Sequence, residues 1–252
     1  MNGVLRAFCF PVVLSGALLG TAMAADMPIK SPAVPYVAGP WMELFGGVAV
    51  APGSIYGYAG GFAAVNHDLN KDGLLFRVFG GDGHYKYNIV PGVSNGVDFQ
   101  TGEVMVGYQK FVGSTRISGY AGANVEDHHN SMDPLATIRG TRWGVKGQGE
   151  IYMPINQLVY FYGQATYSSV WNNYFVMGKA GFNINPTFSI GPEVISLGND
   201  RFDAVRAGPF VAIKITPSAE FILSGGYSWD ERKDSVNNNS GAYSSAHVRV
   251  TF

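Results

Sequence analysis

From residue 41 to the C-terminus the chain repeats one pattern, short segments in which apolar side chains alternate with polar or small ones. Successive side chains on a strand point to opposite faces, so this period of two predicts strands with one apolar and one polar face. Twelve such segments are predicted, at 41–50, 55–67, 73–87, 98–112, 115–126, 140–152, 157–169, 173–183, 187–196, 201–215, 219–229 and 242–252. In 140–152, Trp143, Val145, Gly147, Gly149 and Ile151 oppose Arg142, Lys146, Gln148 and Glu150. In 219–229, Phe221, Leu223, Gly225, Tyr227 and Trp229 oppose Glu220, Ser224, Gly226 and Ser228.

A soluble β-sandwich would also alternate. Composition separates the two cases. Only 14% of residues are charged, while 46% are hydrophobic and 13% aromatic. Soluble domains carry about 25% charged residues to cover their surface. A barrel in lipid needs an apolar outside and tolerates a polar inside. The fold expected is therefore an all-β, antiparallel transmembrane β-barrel of about 12 strands. Turn chemistry agrees. Connections after even-numbered segments are short, near 67–73, 113–114, 153–156, 184–186 and 216–218, with Gly113, Pro154, Pro186 and Pro217 among them. Long polar connections are predicted at 88–97, 127–139 and 230–241. Short periplasmic turns with long external loops are the asymmetry of such barrels. Trp143, Trp171 and Trp229 would then mark the outer rim and Trp41 the inner one, as aromatic girdles do.

Residues 1–24 read as a cleavable signal peptide. Arg6 precedes a short apolar run from Ala7 to Leu19, and Ala22-Met23-Ala24 fits a small-x-small cleavage site, with Ala25 the alternative. The run is too short for a spanning anchor, and no later run nears the roughly 18 apolar residues a membrane helix needs. Residues 25–40, holding Pro28, Pro32, Pro35 and Pro40, read as a periplasmic linker, and 41–252 as the barrel. Cys9 lies within the signal, so the exported chain has no disulfide and no thiolate metal site. Loss of Arg6 leaves a mildly acidic chain, against nucleic acid as partner. The expected location is the outer membrane of a Gram-negative bacterium.

The motifs suggestive of chemistry are better read as loops. Asp68-Leu69-Asn70-Lys71-Asp72-Gly73 opens like a calcium loop, but Phe79 stands where the bidentate acid belongs, so a polar turn is expected. Asp127-His128-His129-Asn130-Ser131 with Asp133 would suit a metal or a nucleophile pair, yet it falls in a predicted long loop with nothing to hold its geometry. Asp230-Glu231-Arg232-Lys233-Asp234 and Asn237-Asn238-Asn239-Ser240-Gly241 read as an external tip. No catalytic, cofactor or metal residue is assigned.

The functional candidates are the inward polar positions, Arg77, Glu103, Arg116, Arg142, Lys146, Gln148, Glu150, Lys179, Glu193, Arg206 and Arg249, joined by Tyr160, Tyr162 and Gln164. Such residues either pair across the lumen and close it or line a narrow polar channel; tyrosine beside charge would suit a sugar chain. The last segment places Ala246, Val248, Val250 and Phe252 on one face and ends in an aromatic residue, the form of a barrel-assembly signal carried by Val248, Val250 and Phe252.

A resemblance joins these observations. Asn66 to Tyr87 (NHDLNKDGLLFRVFGGDGHYKY), Gly107-Tyr108-Gln109, Asp127-His128, Asp133-Pro134, Arg139-Gly140 and Val145 to Tyr152 resemble the cellulose biosynthesis protein BcsS family. So do Ile190-Gly191-Pro192-Glu193, Leu197-Gly198-Asn199 and Arg206-Ala207-Gly208. Two departures stand out. Gly80-Gly81-Asp82-Gly83 replaces the usual Gly-Gly-Tyr-Gly, and 130–137 lacks the common Ser-Pro. The resemblance implies an alphaproteobacterial outer-membrane protein, non-enzymatic and accessory to cellulose or exopolysaccharide biosynthesis and export, as narrow conduit or scaffold. It implies as partners outer-membrane lipid, the barrel-assembly machinery, cellulose or an oligosaccharide, and cellulose-secretion proteins. The rival classes are a general or oligosaccharide-specific porin, an outer-membrane lipid hydrolase and a sealed, adhesin-like barrel.

Overall fold

 The computed structural model describes residues 39–130, 133, 136–232 and 239–252. The predicted signal peptide, nearly all of the predicted linker, Ser131, Pro134, and the tip residues Lys233, Asp234, Asn237 and Asn238 lie outside them. None of the described residues is helical.

Twelve strands form: β1 (Met42–Ala51), β2 (Ser54–Ala64), β3 (Gly73–Val90), β4 (Val93–Val112), β5 (Thr115–Asn130) and β6 (Gly140–Pro154). The second half continues with β7 (Val159–Ser168), β8 (Tyr174–Asn183), β9 (Phe188–Asn199), β10 (Phe202–Thr216), β11 (Ala219–Arg232) and β12 (Gly241–Thr251). Each pairs antiparallel with its sequence neighbours, and β1 pairs with β12 to close a barrel. Closure leaves no edge strand, so every strand satisfies its backbone polar groups within the wall, as lipid requires. At the seam Phe45 lies opposite Arg249, and the Trp41 amide donates to the Phe252 carbonyl at 2.6 Å.

The alternation sorts the faces. Leu44, Val48, Val104, Val106, Val145, Leu223 and Val248 stand on the outer wall, exposed and apolar. Trp143 and Trp229 stand out there too. Trp171 does not: it is buried beside Val170 and Ile138, which corrects its expected place in an aromatic girdle. Its φ of +47° in the β7–β8 turn swings the indole inward.

One predicted loop is almost wholly strand, and a second begins as strand. The stretch 88–97 is a continuous hairpin, with β3 and β4 paired as far as Val90 and Val93 and turning at Pro91-Gly92. Gly92 has φ +83°, and proline followed by a positive-φ glycine makes a tight turn. Likewise Asp127 to Asn130, predicted to lie in a loop, continue β5 opposite Val97 to Gln100 of β4. The long β4 supplies partners for them, a tertiary effect that local polarity does not reveal.

At the end holding Trp41 and Phe252, the β2–β3 connection (65–72) folds against the barrel mouth. Gln109 Nε2 donates to the Leu69 and Lys71 carbonyls at 2.9 and 2.7 Å, and the Phe111 amide donates to Asp72 Oδ1 at 2.7 Å. Leu69 is thereby buried with Phe62, Leu75, Met105 and Tyr120. Within this turn Lys71 Nζ lies 2.9 Å from Asp68 Oδ2, and the Asn70 amide donates to Oδ1 at 2.9 Å. The Lys71 side chain first, then the Asn70 amide, holds the Asp68 carboxyl below its ordinary range.

Candidate functional site: the barrel interior

Strand register places the sequence-chosen polar residues. Residues directly opposite one another share a face. Arg116 lies opposite Tyr152, Tyr152 opposite Tyr162, Tyr162 opposite Lys179, and Lys179 opposite Glu193. Gln148 and Glu150 precede Tyr152 on the same face of β6, with Thr166 and Gln164 opposite them. All of these turn away from the apolar wall. Tyr162 Oη donates to Gln164 Oε1 at 3.1 Å, and Tyr160 lies with its ring over Gly181.

Three clusters result. In the first, Arg77 Nε lies 3.5 Å from Glu103 Oε1, and its terminal nitrogen 3.5 Å from Glu150 Oε1. Lys146 pairs with the other oxygen of Glu103, and Gln148 Nε2 donates to Glu150 at 2.5 Å. These contacts link β3 to β6 across the interior, and the Glu103 side chain is only 1% exposed. The Arg77 guanidinium also stands 4.9 Å from the ring centre of Phe45, and Lys146 Nζ 5.7 Å from that of Phe79.

In the second cluster Glu193 receives Lys179 at 2.7 Å, the Ser224 hydroxyl at 3.2 Å and the Tyr243 hydroxyl at 3.3 Å, joining β8, β9, β11 and β12. In the third, Arg249 pairs with Glu220 at 2.8 Å. Apart from these clusters, toward the other end of β11, Arg206 Nε donates to Ser228 Oγ at 3.3 Å, and Ser228 donates to Asp230. Arg142 is the outlier. It is exposed near the β5–β6 connection, its guanidinium 5.6 Å from the Trp171 ring centre.

Sequence reasoning missed several inward residues. Ser118, Tyr120, Asn124, Glu126 and His128 follow Arg116 at period two on β5, and extending the alternation past residue 126 would have found the last of them. His128 is buried among Tyr85, Phe99 and Trp171, with ring centres 6.0, 5.3 and 4.7 Å away. An aromatic run on β1–β4 was missed too: Phe45, Tyr58, Tyr56, Phe79, Tyr85 and Phe99. Among the described residues no three His, Cys, Asp or Glu side chains are grouped to hold a metal.

A closed barrel with an apolar wall and an ion-paired interior defines a transmembrane β-barrel of the outer-membrane class. The fold is similar to the COG4313 outer membrane channel from Pseudomonas putida F1, at TM-score 0.51 and 9% identity over 89% of this chain and 100% of that one. The KdgM porin (TM-score 0.49, 11% identity, 83% of this chain and 99% of that one) is also similar. So is the Pseudomonas putida toluene transporter TodX (0.49, 8%, 84% and 89%). None of the curated proteins matches the sequence. The chain belongs to the family of the cellulose biosynthesis protein BcsS, whose model matches residues 43–252.

Proposed function

We propose that this protein is a non-enzymatic accessory of cellulose or related exopolysaccharide biosynthesis, held in the outer membrane, and that it works as a scaffold whose interior is closed to a passing polymer. The terminal end of the barrel faces the periplasm, and the β3–β4 hairpin faces outward. The observation that carries the reading is the bridge from Arg77 through Glu103 to Lys146 and Glu150, which spans the interior between β3 and β6. Each charge in it is matched, and separating partners would strand buried charge, so the bridge resists opening. Leu69 adds an apolar stopper below it. The inward polar positions, exposed Arg142 apart, then act as internal struts.

Planar-bilayer recording of the refolded protein tests this. The expected trace shows no steady conductance, with or without cello-oligosaccharides. A stable open level in the unliganded protein would overturn the closed scaffold in favour of a porin or conduit.

A further inference from the structure

The β7–β8 turn (169–173) is held against its own sequence preference. The Asn173 amide donates to the Val170 carbonyl at 3.1 Å, and the two residues between them, Trp171 and Asn172, have φ of +47° and +52°. A turn with both central residues in the left-handed region calls for Asn-Gly or a similar small pair. A bulky side chain there is an outlier, and such strain persists only where surrounding contacts impose it. The contacts lie inside the barrel. Connecting turns ordinarily run over the surface, yet Val170 is 0% and Trp171 3% exposed, both packed with Ile138 of the β5–β6 connection. The Trp171 ring stands edge-on to His128 of β5, with centres 4.7 Å apart and planes at 81°. β7 and β8 stop at Ser168 and Tyr174, whereas β3, β4 and β5 run on, so the turn folds from the low side of the rim toward the tall side.

Side chains fasten it there. Asn173 Nδ2 donates to both Glu126 oxygens, at 2.7 and 2.6 Å, and Ser168 Oγ donates to Asn124 Oδ1 at 3.0 Å. On the other side Asn172 Nδ2 donates to Asp200 Oδ1 at 2.7 Å, and the Asp200 amide donates to the Trp171 carbonyl at 2.9 Å. The turn is thereby strung from β5 to the β9–β10 connection. It also adjoins the bridge, since Ser168 lies opposite Lys146 in the β6–β7 register. The β7–β8 ladder ends at Tyr167–Tyr174, so the turn can move without breaking a pair of the wall.

We propose that this turn is a lid on the mouth at the β3–β4 end. Trp171 is its plug, Asn173 on Glu126 its latch, and the strained Trp171–Asn172 pair the hinge that lifts the turn when the latch parts. The lid and the bridge are two closures in series. Lifting the lid opens the interior above the bridge to water and small solutes, while the bridge still blocks the way through. The lid is independent of the polysaccharide reading, because it needs only the closed mouth and the latch.

The test is thiol labelling of the full refolded barrel in detergent, carrying Thr166→Cys, with heat-modifiable gel mobility as the check on folding. Thr166 faces the interior two residues deeper than Ser168 and is half-buried. The probe is a small charged methanethiosulfonate, followed by mass. With the lid intact, labelling should be slow, and its rate should level off as the reagent is raised, because opening becomes limiting. Asn173→Ala and Glu126→Gln should each speed labelling about tenfold, the weight of one hydrogen bond to a charged group. Trp171→Gly, which removes both plug and strain, should label fastest, in proportion to reagent and without a plateau. Tyr227→Leu, on the outer wall, should label as the parent does. No labelling of any folded variant short of denaturation makes the turn a fixed plug and overturns the lid. A parent rate that rises in proportion to reagent, as fast as in Trp171→Gly, means an open mouth and also overturns it. Should Glu126→Gln not fold, Asn173→Ala decides the latch, since it leaves every interior charge in place, and an unchanged rate there refutes it.

Discussion

A single carboxylate illustrates how the interior is held. Glu103 accepts from two cations, Arg77 of β3 and Lys146 of β6, and is almost wholly buried. Removing it strands Lys146 and leaves Arg77 with Glu150 alone, and breaking a buried ion pair from one side costs about 3–5 kcal/mol. Glu103→Leu should therefore lower stability by about 3 kcal/mol, read from urea unfolding in detergent micelles. Adding Lys146→Met should recover a good part of the loss, since it removes one stranded charge. A loss no larger than that of an exposed pair, below about 1 kcal/mol, would show that water reaches the bridge. That Glu103 faces inward was legible from its alternation with Val104 and Val106. Its partners were not, because the approach of β3 to β6 depends on barrel curvature, which no local period encodes.

At the scale of the strand, β12 shows what alternation conveys and what it omits. Val248 and Arg249 fall on opposite faces as their neighbours predict, and Arg249 meets Glu220 of β11. The role of Phe252 in closure is visible only in three dimensions. Its carbonyl accepts from the Trp41 and Met42 amides at 2.6 and 3.3 Å, and its amide donates to the Met42 carbonyl at 2.9 Å. Deleting Phe252 removes three bonds from the β1–β12 seam. Barrel assembly in cells should fall several-fold, measured as the heat-modifiable fraction in outer-membrane extracts, while Phe252→Tyr should assemble as the parent does. Unchanged assembly after deletion would assign the seam's strength to Glu43–Thr251 and the pairs above it. By the same logic the ends of β3, β4 and β5 were misread. Polar residues such as Asn88, Ser94 and Asp127 carry a loop signal, and only the neighbouring strand makes them ladder.

At the scale of the molecule, the two ends differ, and the proposed orientation rests on that difference. Turns at 113–114, 155–158, 184–187 and 217–218, with the longer 65–72 connection, share one end with Trp41 and Phe252. The β3–β4 hairpin and the 131–139 and 233–240 connections share the other. In the proposed orientation the long polar connections and the β3–β4 hairpin lie outside, and Trp41, Phe252 and Leu69 lie toward the periplasm. The chain's one cysteine, Cys9, falls in the predicted signal peptide, so single introduced thiols report cleanly. Pro91→Cys, at the exposed hairpin tip, should react with a membrane-impermeant maleimide on intact cells. Gln157→Cys, exposed in the β6–β7 turn, should react only after the outer membrane is opened. The reverse pattern would invert the barrel, placing the end with Leu69 and Phe252 at the cell surface and the β3–β4 hairpin in the periplasm.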